Sequence, residues 1–293
     1  MELKEVYKAK SIDEALFLLE KYKGEGKLIA GGTDTIIDMR NEKIFPNVLI
    51  DISSIEELSY IQEKRDFIEI GPMTTFTQIV ESGILARNLN GFKKACRLIG
   101  SPQIRNRGTI GGNIANGSAA ADSVPPLLAL DSILTILSSK EKREIRLEDF
   151  LMQPNSERLK KDELLHSIKF RKPSDNQVLT FAKLCLRKAL AISRISMSIL
   201  LELNDNREVK DIKIASGSLG KYPMREREVE SFLKGRNIDE EAVDEAYNIL
   251  KKVLRDRLMG RPTLEYKEMA VKGLLIETIN DGLDYFQCQE VIA

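Results

Sequence analysis

The chain has 293 residues, of which 42% are hydrophobic and 31% charged, and this length predicts about two domains with cores of their own. Its 45 basic residues balance 45 acidic ones, and this neutrality argues against nucleic acid or an anionic membrane as partner. No stretch approaches the roughly 18 consecutive apolar residues of a membrane span, and the N-terminus lacks the apolar core of a signal peptide. We therefore expect a cytoplasmic protein.

Cysteine and histidine are too sparse for most metal or nucleophile chemistry. Cys96, Cys185 and Cys288 lie far apart and form no C-x-x-C pair, which argues against a zinc ribbon, an iron–sulfur loop or a disulfide framework. The single histidine, His166, argues against a His-based metal site or a Cys–His pair. Any chemistry is therefore expected to come from a bound cofactor.

The first half of the chain predicts alternating helices and strands. A capping box at residues 11–14 opens a helix that Gly24 ends, and a short apolar run at 27–30 predicts a strand that stops at a glycine pair. Further helices are expected at 35–40, 75–81 and 91–99, and further strands at 48–52 and 67–71.

Residues 100–122 are rich in small and turn-forming residues and show almost no regular period. A loop of this length inside a compact domain is usually functional or disordered. Ile104, Ile110 and Ile114, together with the low charge, argue against disorder. We therefore expect an ordered functional loop.

The second half of the chain predicts a different arrangement of strands and helices. Strands are expected at 131–137 and 163–170, and the polar segment 173–177 suggests a boundary. Two long antiparallel strands, 192–203 and 209–216, are expected to join at a turn over 204–206. Helices are then predicted at 239–254 and from about 263, after Pro262, to the low 280s.

Two glycine pairs point to an anionic ligand. They lie in the sequences Ala30-Gly31-Gly32-Thr33-Asp34 and Thr109-Ile110-Gly111-Gly112-Asn113, each at the end of an apolar run. Glycine allows close backbone approach, so several N–H groups can converge on one anion such as a pyrophosphate. The alternative is two tight turns in which Thr33 or Asp34 merely caps the next helix. Neither sequence fits the Rossmann fingerprint or the P-loop.

Four charged residues have a functional and a structural interpretation. Arg105 and Arg107 could contact a phosphate or a partner subunit, or be a solvated pair on a loop. Asp122 could accept from a ribose hydroxyl or an adenine amine, or cap a helix before Pro125. Lys183 could lie beside an electron-rich ring carbonyl, or be a surface lysine on a strand.

These motifs resemble a known family. Residues 28–35 look like the first flavin-binding loop of the FAD (medium) subunits of molybdenum hydroxylases, a family that includes xanthine, nicotinate and carbon monoxide dehydrogenases. Residues 101–113, SPQIRNRGTIGGN, are similar to the second flavin loop nearly residue for residue. The resemblance extends along essentially the whole chain, including residues 183–193.

The resemblance implies a two-domain α+β flavoprotein of the vanillyl-alcohol-oxidase type, with FAD between the domains. Because the glycine turns have no His or Cys nearby, we expect the FAD to be bound non-covalently. The FAD-binding domain would span 1–172, with two α/β subdomains divided near residue 55, and a C-terminal domain of antiparallel sheet plus helices would span 178–287. The cofactor-binding residues implied by position are Leu28, Ile29, Ala30, Gly31, Gly32, Thr33, Asp34, Thr35, Ile99, Thr109, Ile110, Gly111, Gly112, Asn113, Asp122, Leu165 and Lys183. The two loops would wrap the pyrophosphate and ribityl region.

The remaining residues receive separate roles from the resemblance. Asp122 is expected toward the adenosine, Leu165 near the isoalloxazine and Lys183 at its polar edge. Ile99 stands where some relatives have an aromatic residue. No residue of the chain is expected to be catalytic or to bind a metal.

The resemblance also implies partners. A small subunit with two Fe–S clusters and a large molybdopterin subunit would complete an oxidoreductase complex, in which FAD relays electrons to an acceptor such as NAD⁺. Two alternatives stay open: a free-standing flavin oxidase or reductase of the same fold, and a nucleotide-binding module without redox chemistry. A yellow protein that co-purifies with iron and molybdenum would exclude both.

Overall fold

The computed structural model describes residues 3–85, 87–187 and 190–292, with side chains up to residue 288. The chain forms two compact units. The first contains the residues up to Ile84, Gly100–Gly117 and Ser132–Arg171, and the second contains Leu85–Ile99, Ser118–Asp131 and the residues from Lys172 onward. The predicted domain limits, 1–172 and 178–287, stay a prediction; the structure adds that two segments before residue 172 belong to the second unit.

A small parallel sheet opens the first unit. Its strands are β1 (Glu5–Lys8), β2 (Gly26–Ile29) and β3 (Val48–Asp51), in the order β1-β3-β2. Helix α1 (Ile12–Lys21) connects β1 to β2, and α2 (Thr35–Arg40) follows β2. The Ser11 side chain caps α1 by accepting the Glu14 N–H at 3.1 Å, as the capping box predicts. The buried face of α1 packs with β3 in one apolar core.

An antiparallel five-stranded sheet completes the first unit. Its strands are β4 (Ile61–Glu63), β5 (Phe67–Ile70), β6 (Ile133–Leu137), β7 (Lys142–Arg146) and β8 (Leu164–Arg171), in the order β4-β5-β8-β6-β7. The helices of this part are α3 (Phe76–Glu81), α5 (Pro102–Arg105), α6 (Ile110–Asn116), α8 (Leu147–Met152) and α9 (Asn155–Arg158). Strand β7 is an edge strand of almost uniformly charged sequence, a composition that discourages pairing with another chain.

The expected loop at 100–122 is therefore partly wrong, because it contains the two short helices α5 and α6. Ser101 caps α5 by accepting the Ile104 N–H at 3.2 Å. Thr109 caps α6 by accepting the Gly112 N–H at 3.1 Å, and Gly117 ends α6 with φ of 63°. Caps this close together support helices too short to show a hydrophobic period.

The second unit is built on the antiparallel sheet that the sequence predicts. Its strands are β9 (Gln177–Leu184), β10 (Ile195–Leu203), β11 (Val209–Gly217) and β12 (Met224–Arg225), in the order β12-β11-β10-β9. Asn204 accepts the N–H groups of Asn206 and Glu208 in the turn between β10 and β11. The unit's helices are α4 (Asn90–Arg97), α7 (Val124–Ala129), α10 (Arg227–Leu233), α11 (Glu240–Leu258) and α12 (Leu264–Ile292).

The buried faces of α11 and α12 form one core with β10 and β11, which confirms the helix-on-sheet arrangement expected for this part. Together the units confirm a mixed α+β fold with antiparallel sheets. Of the helices described, none is long and apolar enough to cross a membrane.

Candidate functional site

A cavity of about 630 Å³ in the first unit brings both glycine turns together. This volume lies within the range of about 300–1,000 Å³ that is typical of ligand pockets. Its lining includes most of the residues singled out by sequence: Leu28, Ala30, Gly31, Gly32, Thr33, Asp34, Thr35, Thr109, Gly111, Gly112, Asn113 and Leu165. Ile29 and Ile110 belong to the same two turns but do not line the wall, while Ile99, Asp122 and Lys183 belong to the second unit.

Glycine is required at the first turn because two backbone segments meet there. A Cβ on Gly31 would stand 1.9 Å from the Arg107 carbonyl oxygen, so any side chain would force the two turns apart. Gly32 has φ of 74°, a conformation that L side chains rarely adopt. The first glycine pair is therefore held directly against the segment that leads into the second.

The first turn presents unbonded amide groups. Within the described part of the chain, the N–H groups of residues 31–34 have no backbone or side-chain acceptor. Asp34 occupies the N-cap position of α2, yet its side chain makes no capping hydrogen bond, so the capping role considered for it is wrong. Residues 31–34 line the cavity, and a row of free N–H groups in a cavity wall is a suitable site for an anion.

The second glycine turn gives a ligand space to approach the backbone, but its N–H groups at Gly111 and Asn113 already have acceptors. The Gly111 N–H donates to the Pro72 carbonyl at 2.9 Å, and the Asn113 N–H donates to the Thr109 carbonyl at 3.0 Å. A Cβ on Gly111 would clash with Pro72, whereas a Cβ on Gly112 would meet only the Thr109 hydroxyl, at 2.9 Å. Because Gly112 has no side chain, a ligand can approach the backbone at this part of the cavity wall.

A further part of the cavity wall comes from the segment 155–165, where sequence reasoning identified only Leu165. Two buried side chains hold this segment. The Arg158 guanidinium donates to the carbonyls of Leu151, Gln153 and Gly117, and Gly117 is the residue that ends α6. Glu163 accepts two hydrogen bonds from Arg143, at 2.8 and 2.9 Å, and one from the Lys160 N–H at 2.9 Å.

Charge in the cavity is mixed. Burial raises the pKa of the Asp34 carboxyl, and the neighbouring Asp38 raises it further. Burial also opposes ionisation of Glu163, but the hydrogen bonds from Arg143 and from the Lys160 N–H outweigh burial and hold its pKa below the usual value. Lys27 and Lys161 line the cavity as well, and sequence reasoning missed both because no motif surrounds them.

Asp122 and Lys183 form a buried ion pair within the second unit. The Lys183 ammonium donates to Asp122 Oδ2 at 2.7 Å and to the Leu98 carbonyl at 3.1 Å, and its side chain is only 4% exposed. The interpretation of Lys183 as a surface lysine is therefore wrong. Ser193 donates to the other oxygen of Asp122. Burial raises the pKa of Asp122, and Lys183 and Ser193 oppose that rise.

The remaining sequence candidates lie in ordinary surroundings. Ile99 is half-buried just after α4, and its N–H donates to the Cys96 carbonyl at 3.3 Å. The Arg105 guanidinium donates to the Gly100 carbonyl at 3.2 Å. Arg107 is exposed and lines a second, polar cavity of about 300 Å³ in the first unit. The structure leaves both interpretations of the arginines open.

These features fit a dinucleotide cofactor. Free amides at the first turn suit a pyrophosphate, and the open face of Gly112 allows the ligand to contact the backbone. Apolar lining from Leu28, Ile52 and Leu165 suits aromatic rings. A donor set made of backbone amides would allow an electrically neutral chain to bind an anion.

Comparison with known proteins gives the family. Residues 2–172 match the family described as the FAD binding domain in molybdopterin dehydrogenase, and residues 180–281 match the CO dehydrogenase flavoprotein C-terminal domain. The nicotinate dehydrogenase FAD-subunit of Eubacterium barkeri is 33% identical over 292 residues, covering 98% of this chain and 99% of that one. The xanthine dehydrogenase FAD-binding subunit of Escherichia coli O157:H7 is 28% identical and covers 94% of this chain and 95% of that one.

A solved structure supports the same assignment. A chain of the carbon monoxide dehydrogenase from Hydrogenophaga pseudoflava, in a form that lacks the Mo-pyranopterin moiety, superposes with a TM-score of 0.89 and 25% identity. The match covers 96% of this chain and 98% of that chain. The chain therefore belongs to the family of FAD-binding subunits of molybdenum hydroxylases.

Proposed function

We propose that this chain is the electron-relay subunit of a molybdopterin-dependent hydroxylase or dehydrogenase complex, carrying non-covalent FAD in the first-unit cavity. It would take electrons from Fe–S clusters on a small partner subunit and pass them to an acceptor such as NAD⁺. The observation that carries the proposal is the row of free amides at residues 31–34, which line a cavity of about 630 Å³ in a chain of this family.

The chain's own residues bind and orient the cofactor. The amides of the first turn would accept the pyrophosphate charge, and Gly112 would admit the ribityl region. Lys183, in the second unit, has three N–H donors and uses two of them on Asp122 and Leu98. Bound FAD supplies the exchange between one-electron and two-electron carriers that side chains do not provide.

The partner subunits follow from the relatives. Several are described as a medium chain or as one subunit of a dehydrogenase complex, among them the carbon monoxide dehydrogenase medium chain of Hydrogenophaga pseudoflava. The chain itself has three widely separated cysteines and one histidine. We therefore assign the Fe–S clusters to a small partner subunit and the molybdopterin to a large one, where the substrate would be hydroxylated.

The proposal has a direct test in the purified chain and in its complex. The full chain should be yellow, and acid precipitation should release FAD into the supernatant; colour retained in the pellet would contradict non-covalent binding. Co-expression with an Fe–S subunit and a molybdopterin subunit should give a complex that contains iron and molybdenum. A chain that binds flavin but never associates with an Fe–S protein would contradict the relay function.

The acceptor is tested separately. If NAD⁺ is the acceptor, NADH should bleach the bound flavin under anaerobic conditions, since the exchange is reversible. Flavin that artificial dyes oxidise readily but NADH never reduces would exclude a nicotinamide acceptor and leave the rest of the proposal standing.

A further inference from the structure

Three basic side chains of the second unit form a cluster without a carboxylate. Lys267 lies in the first turn of α12, Arg261 lies in the connection between α11 and α12, and Arg194 directly precedes β10. Lys267 is half-buried, whereas both arginines are exposed. Among the residues that the structure describes, none of the three forms an ion pair with an acidic side chain.

This cluster differs from other cations of the same two helices. Three of those cations have a carboxylate partner within 2.9 Å: Arg255 with Glu268, Arg257 with Glu226, and Lys272 with Asp244. The fold therefore neutralises positive charge along α11 and α12 but leaves it uncompensated where the two helices connect.

Hydrogen bonds fix the position of Lys267. Its ammonium donates to the Ser218 carbonyl. Ser218 is itself held, because its N–H donates to the Ala119 carbonyl at 2.7 Å and its hydroxyl to the Ser193 carbonyl at 3.1 Å. Arg194 follows Ser193 directly, so the same bonds hold the backbone of Arg194 near Lys267. An ammonium has three N–H donors, and within the described part of the chain Lys267 uses one of them.

The three positive charges oppose one another. Burial lowers the pKa of Lys267, and the charges of Arg261 and Arg194 lower it further. A bound anion would have the opposite effect, because a nearby negative charge favours the charged ammonium. Binding an anion would therefore relieve the repulsion and add charge-assisted hydrogen bonds.

A phosphate group suits this cluster better than a single carboxylate does. A phosphate monoester carries roughly two negative charges at neutral pH and has three acceptor oxygens. The guanidinium of an arginine matches phosphate geometry with two parallel N–H donors, and an ammonium binds phosphate as a compact charge. The exposed arginines leave the cluster open to a ligand from solvent.

We propose that Arg194, Arg261 and Lys267 form a binding site for a phosphate group, supplied either by an inorganic anion or by a soluble nucleotide. None of the three residues lines the first-unit cavity. The inference therefore goes beyond the proposed function and does not depend on it.

The test uses the full chain in saturating FAD, so that a nucleotide probe does not enter the first-unit cavity. Inorganic pyrophosphate and ADP are the probes, and calorimetric titration at low ionic strength measures their affinities. Lys267→Met should weaken pyrophosphate binding by about tenfold or more. Arg194→Met and Arg261→Met should each weaken it by about threefold. Lys272→Met is the matched control, since that lysine lies on the same helix and is already paired, and it should change little.

The two probes distinguish the sources of the phosphate group. ADP that binds more tightly than pyrophosphate would identify a nucleotide, because the nucleoside then adds contacts of its own. Pyrophosphate that binds as tightly as ADP, or more tightly, would identify the inorganic anion. All affinities should fall in high salt, because exposed charges are screened.

A second measurement follows Lys267 directly. Pyrophosphate should slow the acetylation of Lys267, measured by mass spectrometry, because a bound anion raises the pKa of the amine and covers it. The acetylation of Lys272 in the same sample should not change. Equal rates for Lys267 with and without the anion would contradict a site at this lysine.

Other outcomes overturn the inference. Unchanged affinity in the Arg194→Met and Arg261→Met proteins would show that the probe binds elsewhere, and these exposed positions keep the test valid if Lys267→Met does not fold. An equal loss in Lys272→Met would show a general effect of charge. Binding of a poly-aspartate peptide without binding of pyrophosphate would assign the cluster to an acidic protein surface instead. Absence of pyrophosphate and ADP binding at millimolar concentration would exclude a phosphate site.

Discussion

At the scale of single residues, three glycines and one buried ion pair are the most informative features of the molecule. Gly31 and Gly111 are needed because backbone segments touch there, whereas Gly112 faces the cavity and leaves space for a ligand. Asp122 and Lys183 neutralise each other out of solvent. The sequence motifs identified these residues, but only the structure separates those that hold the fold from those that face the ligand.

Replacing Gly112 with Val should abolish FAD retention and cost less stability than a side chain at Gly31. Its Cβ would stand 2.9 Å from the Thr109 hydroxyl, which would have to shift, and would meet no backbone atom of another segment. Flavin content after gel filtration measures the first effect and thermal unfolding the second. Gly31→Ala is the matched contrast, because its Cβ would collide with the Arg107 carbonyl and should lower the melting temperature even without flavin. A Gly112→Val protein with stoichiometric FAD would contradict the cavity assignment.

Replacing Lys183 with Met should destabilise the protein by about 3–5 kcal/mol, because the buried Asp122 carboxylate loses its partner. The pKa of Asp122, already raised by burial, should rise further. A raised pKa in the folded state means that the native carboxyl holds its proton to higher pH than the unfolded one. The destabilisation should therefore grow as pH rises above about 4, the unfolded value.

Denaturant unfolding of the Lys183→Met protein at several pH values measures this effect. Adding Asp122→Asn to Lys183→Met should recover much of the lost stability and remove the pH dependence, since no carboxylate is then left unpaired. A Lys183→Met protein as stable at pH 8 as at pH 5 would show that Asp122 does not depend on the lysine.

At the scale of elements, hydrophobic period and turn residues predict the long members of the fold. The hairpin of β10 and β11 is confirmed because it combines β-branched runs with an Asn turn. The helices α5 and α6 were missed because four and seven residues are too few for a period, although Ser101 and Thr109 are good caps. Strand β1 was missed because its four residues, EVYK, are mostly polar and exposed.

The wall segment after α9 illustrates a feature that sequence alone could not supply. Arg158 and Glu163 hold this segment in place through hydrogen bonds, and their partners lie on other elements of the first unit. No local pattern shows that a charged residue in a polar stretch will be buried. The same is true of Lys27 and Lys161, because no local pattern predicts that they line the cavity.

Replacing Glu163 with Gln should loosen this wall. The Arg143 guanidinium would lose its carboxylate partner, so we expect a loss of roughly 2–4 kcal/mol in stability and weaker FAD binding. The folded pKa of Glu163 lies below its usual 4.5, so its stabilising contribution is complete above that pH and disappears as pH falls through the folded value. Stability curves of the unaltered and Glu163→Gln proteins should converge in acid. Parallel curves down to pH 2 would contradict this assignment.

At the scale of the whole molecule, our proposal is that a neutral chain binds its anionic cofactor through backbone amides and leaves substrate chemistry to other subunits. Family membership, mixed α+β architecture and the cofactor class were predictable from the sequence because the second glycine turn is a specific motif. The electron acceptor was not predictable from the sequence, because no motif of the chain identifies it.

The relay function predicts that the isolated chain transfers electrons but does not hydroxylate substrate. Alone, the chain should bind FAD and transfer electrons to artificial dyes, but it should hydroxylate neither purines nor N-heteroaromatic acids. Assays of the isolated chain against such substrates measure this. Hydroxylation by the chain alone would mean that it contains a catalytic site of its own.

The most direct test of the account is flavin reduction inside the assembled complex. Complexes of the Fe–S and molybdopterin subunits are prepared with the unaltered chain or with the Gly112→Val chain, and hydroxylatable substrate is added without oxygen. The account predicts that the flavin bleaches in the first complex, and that substrate still reduces the Fe–S clusters in the second while the natural acceptor is no longer reduced. Acceptor reduction at an undiminished rate in a complex without bound flavin would contradict it.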